Sequence, residues 1–216
     1  MKHIAFIPAR LGSQGIKLKN RKLFQYTSSF IKKLTWINEV VVSTDDHHIE
    51  KEALRNKFSY YPRKKKISGN KCSIKSVICD YVAKANLSND DIIWLLYLTI
   101  PFRKLKDFKY AKKIIEEKKI NSLISFIPVE THPFNCWFLK NNKIYQYIDN
   151  NLYRRQDLPK AYYHHHYLCS FKVKVLHKLN NELIFSNTYP LILNGDINHL
   201  LEIDNQKDLI KFKNLK

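Results

Sequence analysis

The sequence predicts an α/β fold in which a mainly parallel sheet is covered by helices. Short apolar runs rich in Ile and Val, such as residues 2–8 and 39–43, have the composition of strands buried on both faces of a parallel sheet. Segments with helical periodicity lie between such runs. Strands that alternate with helices in this way imply right-handed crossover connections.

The first half of the chain supplies three predicted helices. Residues 28–36 are long enough for a short helix between the first two strands. Asp45 or Asp46 can cap a helix that runs to about Asn56, because a carboxylate accepts hydrogen bonds from the free N–H groups of a first turn. Residues 73–85 place apolar side chains at helical spacing and form the third predicted helix.

The second half contains further predicted elements. They are the strand 91–97, the amphipathic helix 107–118, the strand Ser122–Pro128, and a last unit made of the strand 200–203 and the helix 205–212. Pro101 marks the end of the first of these strands. Asn205 is the candidate N-cap of the last helix.

The stretch 130–167 interrupts this alternation. It is rich in aromatic, Asn and His residues and lacks a long periodic run. So many large side chains need a partner surface, which is either the body of the same domain or another subunit. The chain is therefore expected to form one domain over residues 1–216, with 130–167 as an inserted extension.

Composition bounds the class of protein. With 216 residues, 44% of them hydrophobic, the chain can bury one substantial core. No apolar run approaches the roughly 20 residues of a membrane span, and the first residues lead straight into a strand, so we expect a cytoplasmic protein without membrane insertion. The four cysteines are widely spaced without a C-x-x-C pair, which favours reduced thiols over disulfides or a zinc site.

The net charge of +19 raises the question of nucleic-acid binding. The positive residues are mostly lysines spread along the chain, and the dense run 63–66 is short, as in a solvated loop. A triphosphate and an acidic sugar would also favour a positive cleft. Charge alone does not separate these ideas, and we expect no nucleic-acid partner.

A loop with two glycines and several cations follows the first strand. Gly12 and Gly15 permit positive φ and close approach of the main chain to a ligand, while Arg10, Ser13 and Lys17 add donors suited to phosphate oxygens. The loop matches neither G-x-G-x-x-G nor G-x-x-x-x-G-K-[ST]. It can therefore be a phosphate site or a plain turn.

Five segments, in order along the chain, give the loop a family context. Residues 7–20 resemble the opening I-P-A-R-x-G-S-K-G-I-x-x-K-N signature of the acylneuraminate (CMP-sialic acid) cytidylyltransferase family. Residues 40–46 are similar to its second strand and acidic turn, and residues 95–103 to its L-L-Q-P-T-S-P-L-R strand end. Residues 154–160 are similar to its R-R-Q-D-L-P-K segment, and residues 202–209 to its D-I-D-T-x-x-D-L ending.

This resemblance implies a three-layer, Rossmann-like nucleotidyltransferase fold, and a homodimer whose extension reaches toward the partner's site. It also implies a reaction in which the anomeric hydroxyl of an acidic nine-carbon 2-keto sugar attacks the α-phosphorus of CTP, with Mg²⁺ as cofactor, for assembly of a surface glycan. Such a transfer needs in-line positioning and neutralisation of phosphate charge more than covalent help from the protein.

By the same resemblance, each role falls on numbered positions. The nucleotide-binding positions are Arg10, Leu11, Gly12, Ser13, Asn20, Arg63 and Ser73. The sugar-binding positions are Tyr97, Thr99, Arg103, Arg155, Gln156 and His165. The metal-binding positions are Glu202 and Asp204, and the catalytic ones are Arg10, Gln14 and Asp204. Other assignments stay open for two of these residues, because Ser73 can be an ordinary N-cap and Asp204 a capping or surface acid.

Several residues depart from the family pattern. Gln14 replaces a lysine, and Lys17 or Lys19 can supply the missing charge instead. Tyr97 replaces a glutamine that faces the sugar in relatives, and Glu202 replaces an aspartate. These changes leave two alternatives open: transfer to a different sugar or from a different nucleotide, and a catalytically weakened nucleotide-binding scaffold. A nucleic-acid-binding module is a more distant alternative.

The run 164–166 consists of three histidines. Consecutive residues of an extended strand point to opposite faces, and the run lacks the usual spacing of zinc ligands, so a zinc site is not expected there. By the resemblance, His165 lies near the substrate-facing turn of the family.

Overall fold

A computed structural model describes residues 1–12, 15–64, 67–69, 72–194 and 200–215. The strands of the described residues are β1 His3–Ala9, β2 Glu39–Thr44, β3 Ser59–Pro62, β4 Ile92–Leu95, β5 Ser122–Pro128, β6 Trp137–Lys140, β7 Lys143–Gln146, β8 Tyr162–Lys172 and β9 Tyr189–Ile192. The helices are α1 Lys19–Ile31, α2 His47–Arg55, α3 Ile74–Val82, α4 Leu105–Glu117 and α5 Gln206–Asn214.

Seven of these strands form one central sheet in the order β3-β2-β1-β4-β8-β5-β9. β1 pairs in parallel with β2 and β4, β2 with β3, and β5 with β9, whereas β8 runs antiparallel to both of its neighbours. The predicted mainly parallel sheet is thus confirmed, with one reversed strand inside it. β8 was not predicted, because its aromatic and histidine residues hide the strand pattern.

Helices cover both faces of the sheet. Every residue of β1 is buried, as expected for a strand between two layers. On one face, Phe30 of α1, Phe108 of α4 and Phe212 of α5 pack into one apolar cluster, and on the other face Ile78 of α3 and Leu176 pack into a second cluster. Among the described residues, no helix is both long and apolar enough to cross a bilayer.

Side-chain caps account for the helices that the sequence predicted well. Asp46 accepts a hydrogen bond from the N–H of His48 at the start of α2, and Ser73 accepts one from Ser76 at the start of α3. Asn205 and Asp208 form a reciprocal capping box on α5.

The first helix was misplaced, since the predicted range 28–36 is only the end of α1 and the turns after it. α1 begins at Lys19, after Leu18 in the left-handed conformation, with neither a capping side chain nor an acidic first turn. The sequence therefore offered no start signal. The buried stripe that stabilises α1 begins at Leu23, ahead of the predicted start.

The predicted strand 200–203 is also wrong. That segment is irregular, and its main chain is held by a hydrogen bond from the N–H of Ile203 to the carbonyl of Thr99 (2.8 Å). β9 instead occupies the free edge of β5. A strand at 200–203 would consequently find no partner at that edge of the sheet, because β9 already pairs with β5.

The extension differs from the prediction at its end. β6 and β7 form a separate antiparallel hairpin, and the chain re-enters the central sheet with β8 at Tyr162, before the predicted boundary at 167. A register shift between Ile124 and Ser125 leaves an irregularity opposite residues 166–168 of β8. The part outside the sheet is thus shorter than 130–167.

Candidate functional site

A cleft of about 480 Å³ opens where the chain leaves the carboxyl ends of β1 and β4. Ligands of open α/β sheets bind at this edge, because the loops that follow parallel strands meet there. The described residues that line the cleft are Pro8, Arg10, Gly12, Gly15, Lys19, Asn20, Arg63, Cys72, Ile74, Tyr97, Thr99, Glu202 and Asp204.

The loop after β1 forms one wall of the cleft. The side-chain amide of Asn20 donates to the carbonyl of Arg10 (2.8 Å), and the N–H of Leu11 donates to Asp45 (2.7 Å). Leu11 itself is exposed. These two bonds fix the start of the loop from α1 and from the turn after β2. Ser13 and Gln14, the remaining predicted positions of this wall, lie outside the described residues.

Close packing, rather than positive φ, explains Gly15. Neither Gly12 nor Gly15 has φ in the left-handed region. A Cβ on Gly15 would lie closer than 3.0 Å to the carbonyl oxygen of Asp204, whereas one on Gly12 would meet nothing within 4 Å. Gly15 is thus the point at which the loop and the segment after residue 200 are in contact.

Lys19 links α1, which follows the loop, to the segment after residue 200. Its ammonium donates to the carbonyl of Ile203 (2.9 Å) and to the carboxylate of Asp204 (2.8 Å). Of the two lysines considered as substitutes for the charge missing at Gln14, Lys19 lines the cleft and Lys17 is exposed outside its lining.

Two carboxylates, Glu202 and Asp204, also line the cleft. Glu202 accepts a hydrogen bond from the hydroxyl of Thr99 (3.2 Å). Desolvation within the cleft, and then the nearby Asp204, raise the pKa of Glu202. The N-cap of α5 is Asn205, so Asp204 does not have that capping role. Two neighbouring carboxylates have the donor type that suits a hard cation such as Mg²⁺.

Arg63 and Ser73 lie on the side of the cleft next to β3. Arg63 is buried, and its Nε donates to the carbonyl of Ile67 (2.8 Å). The run 63–66 was interpreted as a solvated loop. This is wrong for Arg63, which is buried, and it holds for Lys64, which is exposed. Ser73 caps α3, as the alternative assignment supposed, while its neighbours Cys72 and Ile74 reach the cleft.

The predicted sugar positions separate into two groups. Tyr97 and Thr99 line the cleft. Arg103 lies behind it, where Nη2 donates to the carbonyl of Tyr97 (2.6 Å) and Nη1 to the hydroxyl of Thr27 (3.1 Å). Arg103 thus stabilises the main chain of Tyr97 without itself lining the cleft.

The other three sugar positions are outside the cleft of the single chain. His165 is buried, and its Nδ1 accepts a hydrogen bond from the N–H of Tyr167 (3.1 Å). Arg155 and Gln156 lie in an exposed 3-10 turn of the extension. Cys72 and Ile74 line the cleft without having been predicted, because an unremarkable Cys and Ile beside a cap carry no pattern.

A sequence model of the family described as cytidylyltransferase matches residues 4–189. The chain belongs to the cytidylyltransferase family. The family match covers β1, the loop after it and the part of the cleft around Tyr97, and it ends before Glu202 and Asp204. The resemblance seen in the motifs is confirmed at this level.

Curated relatives within the family are similar over three quarters of the chain. The chain is 29% identical over 173 residues to N-acylneuraminate cytidylyltransferase of Streptococcus agalactiae serotype III (strain NEM316), which covers 76% of the chain and 41% of the relative. It is 28% identical over 174 residues to pseudaminic acid cytidylyltransferase of Campylobacter jejuni subsp. jejuni serotype O:2, which covers 76% of the chain and 75% of the relative. The chain thus spans about two fifths of the streptococcal cytidylyltransferase.

A solved structure shares the fold over the full chain. CMP:2-keto-3-deoxy-manno-octonic acid synthetase, complexed with CTP, superposes with a TM-score of 0.68 at 15% identity, covering 100% of this chain and 98% of the other. The central sheet with helices on both faces is therefore the nucleotidyltransferase fold that the sequence predicted.

Proposed function

We propose that this chain transfers a cytidylyl group from CTP to a nonulosonic acid and releases pyrophosphate. The observation that carries the proposal is one cleft whose lining contains the cations Arg10, Lys19 and Arg63 together with the carboxylates Glu202 and Asp204. The cations suit a triphosphate, and the carboxylates suit the metal ion that accompanies it. The relatives named for N-acylneuraminate and pseudaminic acid support an acidic nine-carbon sugar as acceptor.

In this proposal the protein positions the reactants and neutralises charge. The sugar hydroxyl oxygen forms a bond to the α-phosphorus, the bond from that phosphorus to the bridging oxygen of the β-phosphate breaks so that pyrophosphate leaves, and the hydroxyl proton passes to water. The loop at Arg10 and Gly12 binds the phosphates, with the fixed ammonium of Lys19 beside them. Preorganised donors of this kind stabilise the charge that develops in the transition state.

Glu202 and Asp204 are the residues that would hold Mg²⁺. A bound Mg²⁺ would neutralise phosphate charge during the transfer. Desolvation, and then the nearby Asp204, raise the pKa of Glu202, and a bound cation would offset both costs to the charged carboxylate. Consumption of a nucleoside triphosphate also supports a cytoplasmic location, and the product would serve assembly of a surface glycan.

Pyrophosphate release from CTP, measured with Mg²⁺ and a panel of nonulosonic acids plus the eight-carbon relative, tests the proposal. We expect release with one of these sugars. Release with a sugar outside the panel, or from another nucleotide, would establish the alternative transferase. CTP binding without any turnover would favour the scaffold, and absence of CTP binding would refute the nucleotide site.

Asp204→Asn tests the metal assignment. We expect turnover to fall by about 10²-fold or more, because the variant keeps the shape but removes the charge that would hold the cation. Glu117→Gln is the matched control, since it removes an exposed carboxylate of α4 outside the cleft lining. Unchanged Mg²⁺-dependent turnover in Asp204→Asn would contradict the assignment.

We further propose that the extension joins two copies of the chain. Trp137, Tyr147 and Tyr153 are 54%, 68% and 90% exposed in the single chain, which is unusual for a cluster of large rings. A second copy that covers them would also bring Arg155 and Gln156 toward a neighbouring cleft.

Sedimentation at micromolar concentration should therefore show a dimer. Trp137→Glu should shift it toward the monomer, since a buried carboxylate at an apolar interface is costly. Tyr110→Glu, on the exposed side of α4, is the control that should leave the dimer intact. A monomeric native chain would rule out this arrangement.

A further inference from the structure

Two of the three consecutive histidines and one glutamate form a cluster outside the candidate cleft. One ring nitrogen from each of His164 and His166 and one carboxylate oxygen of Glu182 lie within 4.8 Å of one another. The histidines belong to β8, and Glu182 belongs to the loop that follows it in the chain. We propose that His164, His166 and Glu182 form a zinc site that fastens this loop to β8.

The separation of the donors suits a zinc ion. Two ligands bound tetrahedrally at about 2.1 Å from Zn²⁺ lie roughly 3.4 Å apart. His164 Nε2 and Glu182 Oε2 are 3.2 Å apart. The donor nitrogen of His166 lies within 4.8 Å of both of these atoms, and its ring centroid is 5.3 Å from that of His164. Two imidazoles and one carboxylate are the ligand types that zinc takes, and they leave one coordination position open.

A simple ion pair explains only part of this cluster. The pair between His164 and Glu182 would satisfy those two residues, and the ring of His166 also interacts with the backbone of Glu182. His166 Nε2 itself is buried and has no hydrogen-bond partner among the described residues. A buried imidazole nitrogen without a partner is costly, and a metal ion would give it one.

The third ligand is held in place by its own loop. The side chain of Asn180 accepts hydrogen bonds from the N–H groups of Glu182 (2.9 Å) and Ile184 (3.0 Å), and the N–H of Asn180 donates to the carbonyl of Ile184 (2.9 Å). Leu183, in the left-handed conformation, is fully buried and anchors the loop to the core. The backbone of Glu182 is therefore fixed before any ion binds, which lowers the entropic cost of binding.

The cluster is open to solvent on one side and touches the candidate cleft on the other. The side chains of His164 and Glu182 are 35% and 58% exposed, so an ion can reach them. The ring of His166 packs edge-on against Tyr97, with centroids 5.4 Å apart, and Tyr97 lines the cleft. A zinc ion here would therefore rigidify the support of one cleft wall from outside it.

Zinc titration of the chelator-treated full chain, read by competition with a chromophoric chelator, tests this site. We expect about one Zn²⁺ per chain and a rise in Tm on binding, with Co²⁺ giving a visible absorption band of low-coordinate cobalt. Glu182→Gln, His164→Ala and His166→Gln should each weaken Zn²⁺ binding by at least about tenfold. Circular dichroism checks that each variant is folded, and Glu182→Gln on its exposed loop keeps the test valid if a β8 variant unfolds.

Two controls distinguish this site from other binding. His47 and Glu50 form a surface pair at 2.9 Å for which the described part of the chain offers no third ligand, so His47→Ala should leave Zn²⁺ binding unchanged. Asp204→Asn should also leave it unchanged, because its carboxylate belongs to the cleft. Absence of Zn²⁺ binding, or binding that Glu182→Gln leaves intact, would overturn the proposal. Loss of binding in Asp204→Asn alone would move zinc to the cleft and likewise overturn it.

Discussion

Gly15→Ala should disturb folding and activity together, since the added methyl group has no space. The new Cβ would lie 3.2 Å from the carbonyl carbon of Asp204 and closer than 3.0 Å to its oxygen, while ordinary contacts begin near 3.4 Å. Both obstacles are main-chain atoms, so no side chain can rotate away. The loop or the segment around Asp204 must move, by about 1 Å if one of them takes up the whole change.

This displacement sets the expected magnitudes. Overpacking of a tight contact costs about 1–3 kcal/mol of unfolding free energy. A misplacement of about 1 Å in a site that acts by positioning can lower turnover about 10²-fold. The same shift would also strain the bond between Lys19 and Asp204, which joins the two segments at 2.8 Å.

Urea unfolding and CTP-dependent pyrophosphate release measure both effects. Gly69→Ala is the control, because a Cβ there meets nothing within 4 Å and φ is not left-handed. Gly69→Ala should stay within about 0.5 kcal/mol of the native chain. If Gly15→Ala matched this control in both stability and turnover, the close approach between the loop and Asp204 would be refuted.

Two further predictions concern charges. Asp46→Ala should lower the unfolding free energy by about 2–3 kcal/mol, measured in urea, since it removes the cap of α2 and two hydrogen bonds from Arg21 of 2.8 and 2.9 Å. Burial alone would raise the pKa of Asp46, but bonds from Arg21 and the N–H of His48 outweigh it and lower the pKa. The contribution of Asp46 to stability should therefore be complete above its pKa in the unfolded chain, near pH 4. It should be lost as the pH falls through the lower pKa of the folded chain. If the native chain and Asp46→Ala lost stability in parallel on acidification, this prediction would be contradicted. Lys19→Met should raise the KM for CTP about tenfold while leaving secondary structure intact, and an unchanged KM would remove Lys19 from the phosphate site.

Local patterns predicted the elements whose causes are local. The apolar run of β1, the bounds of β5 and the caps Asp46, Ser73 and Asn205 each depend on neighbours in sequence. The strand β8 and the irregular segment at 200–203 depend on which sheet edge is free. That is a property of the assembled sheet, which no window of sequence contains.

The candidate cleft and the histidine cluster beside it likewise combine residues that local motifs predict with residues that only the assembled fold brings together. Family motifs predicted Arg10, Asn20, Tyr97, Thr99 and the two carboxylates, and all six line the cleft, although only Arg10, Tyr97 and Thr99 lie just after the end of β1 or β4. The approach of Glu182 to His164 could not be predicted, since the loop that carries Glu182 is fixed by Asn180 and by a buried leucine. Spacing within the histidine run therefore carries no information about a ligand from that loop.

The bond between Lys19 and Asp204 spans 185 positions of the chain. Contacts of such long range form late in folding, because the chain must close a large loop before they contribute stability. The cations beside β1 can then be in place while the segment with Glu202 and Asp204 is still undocked. Local unfolding of the last helix would therefore separate these carboxylates from Lys19 while the central sheet stays folded.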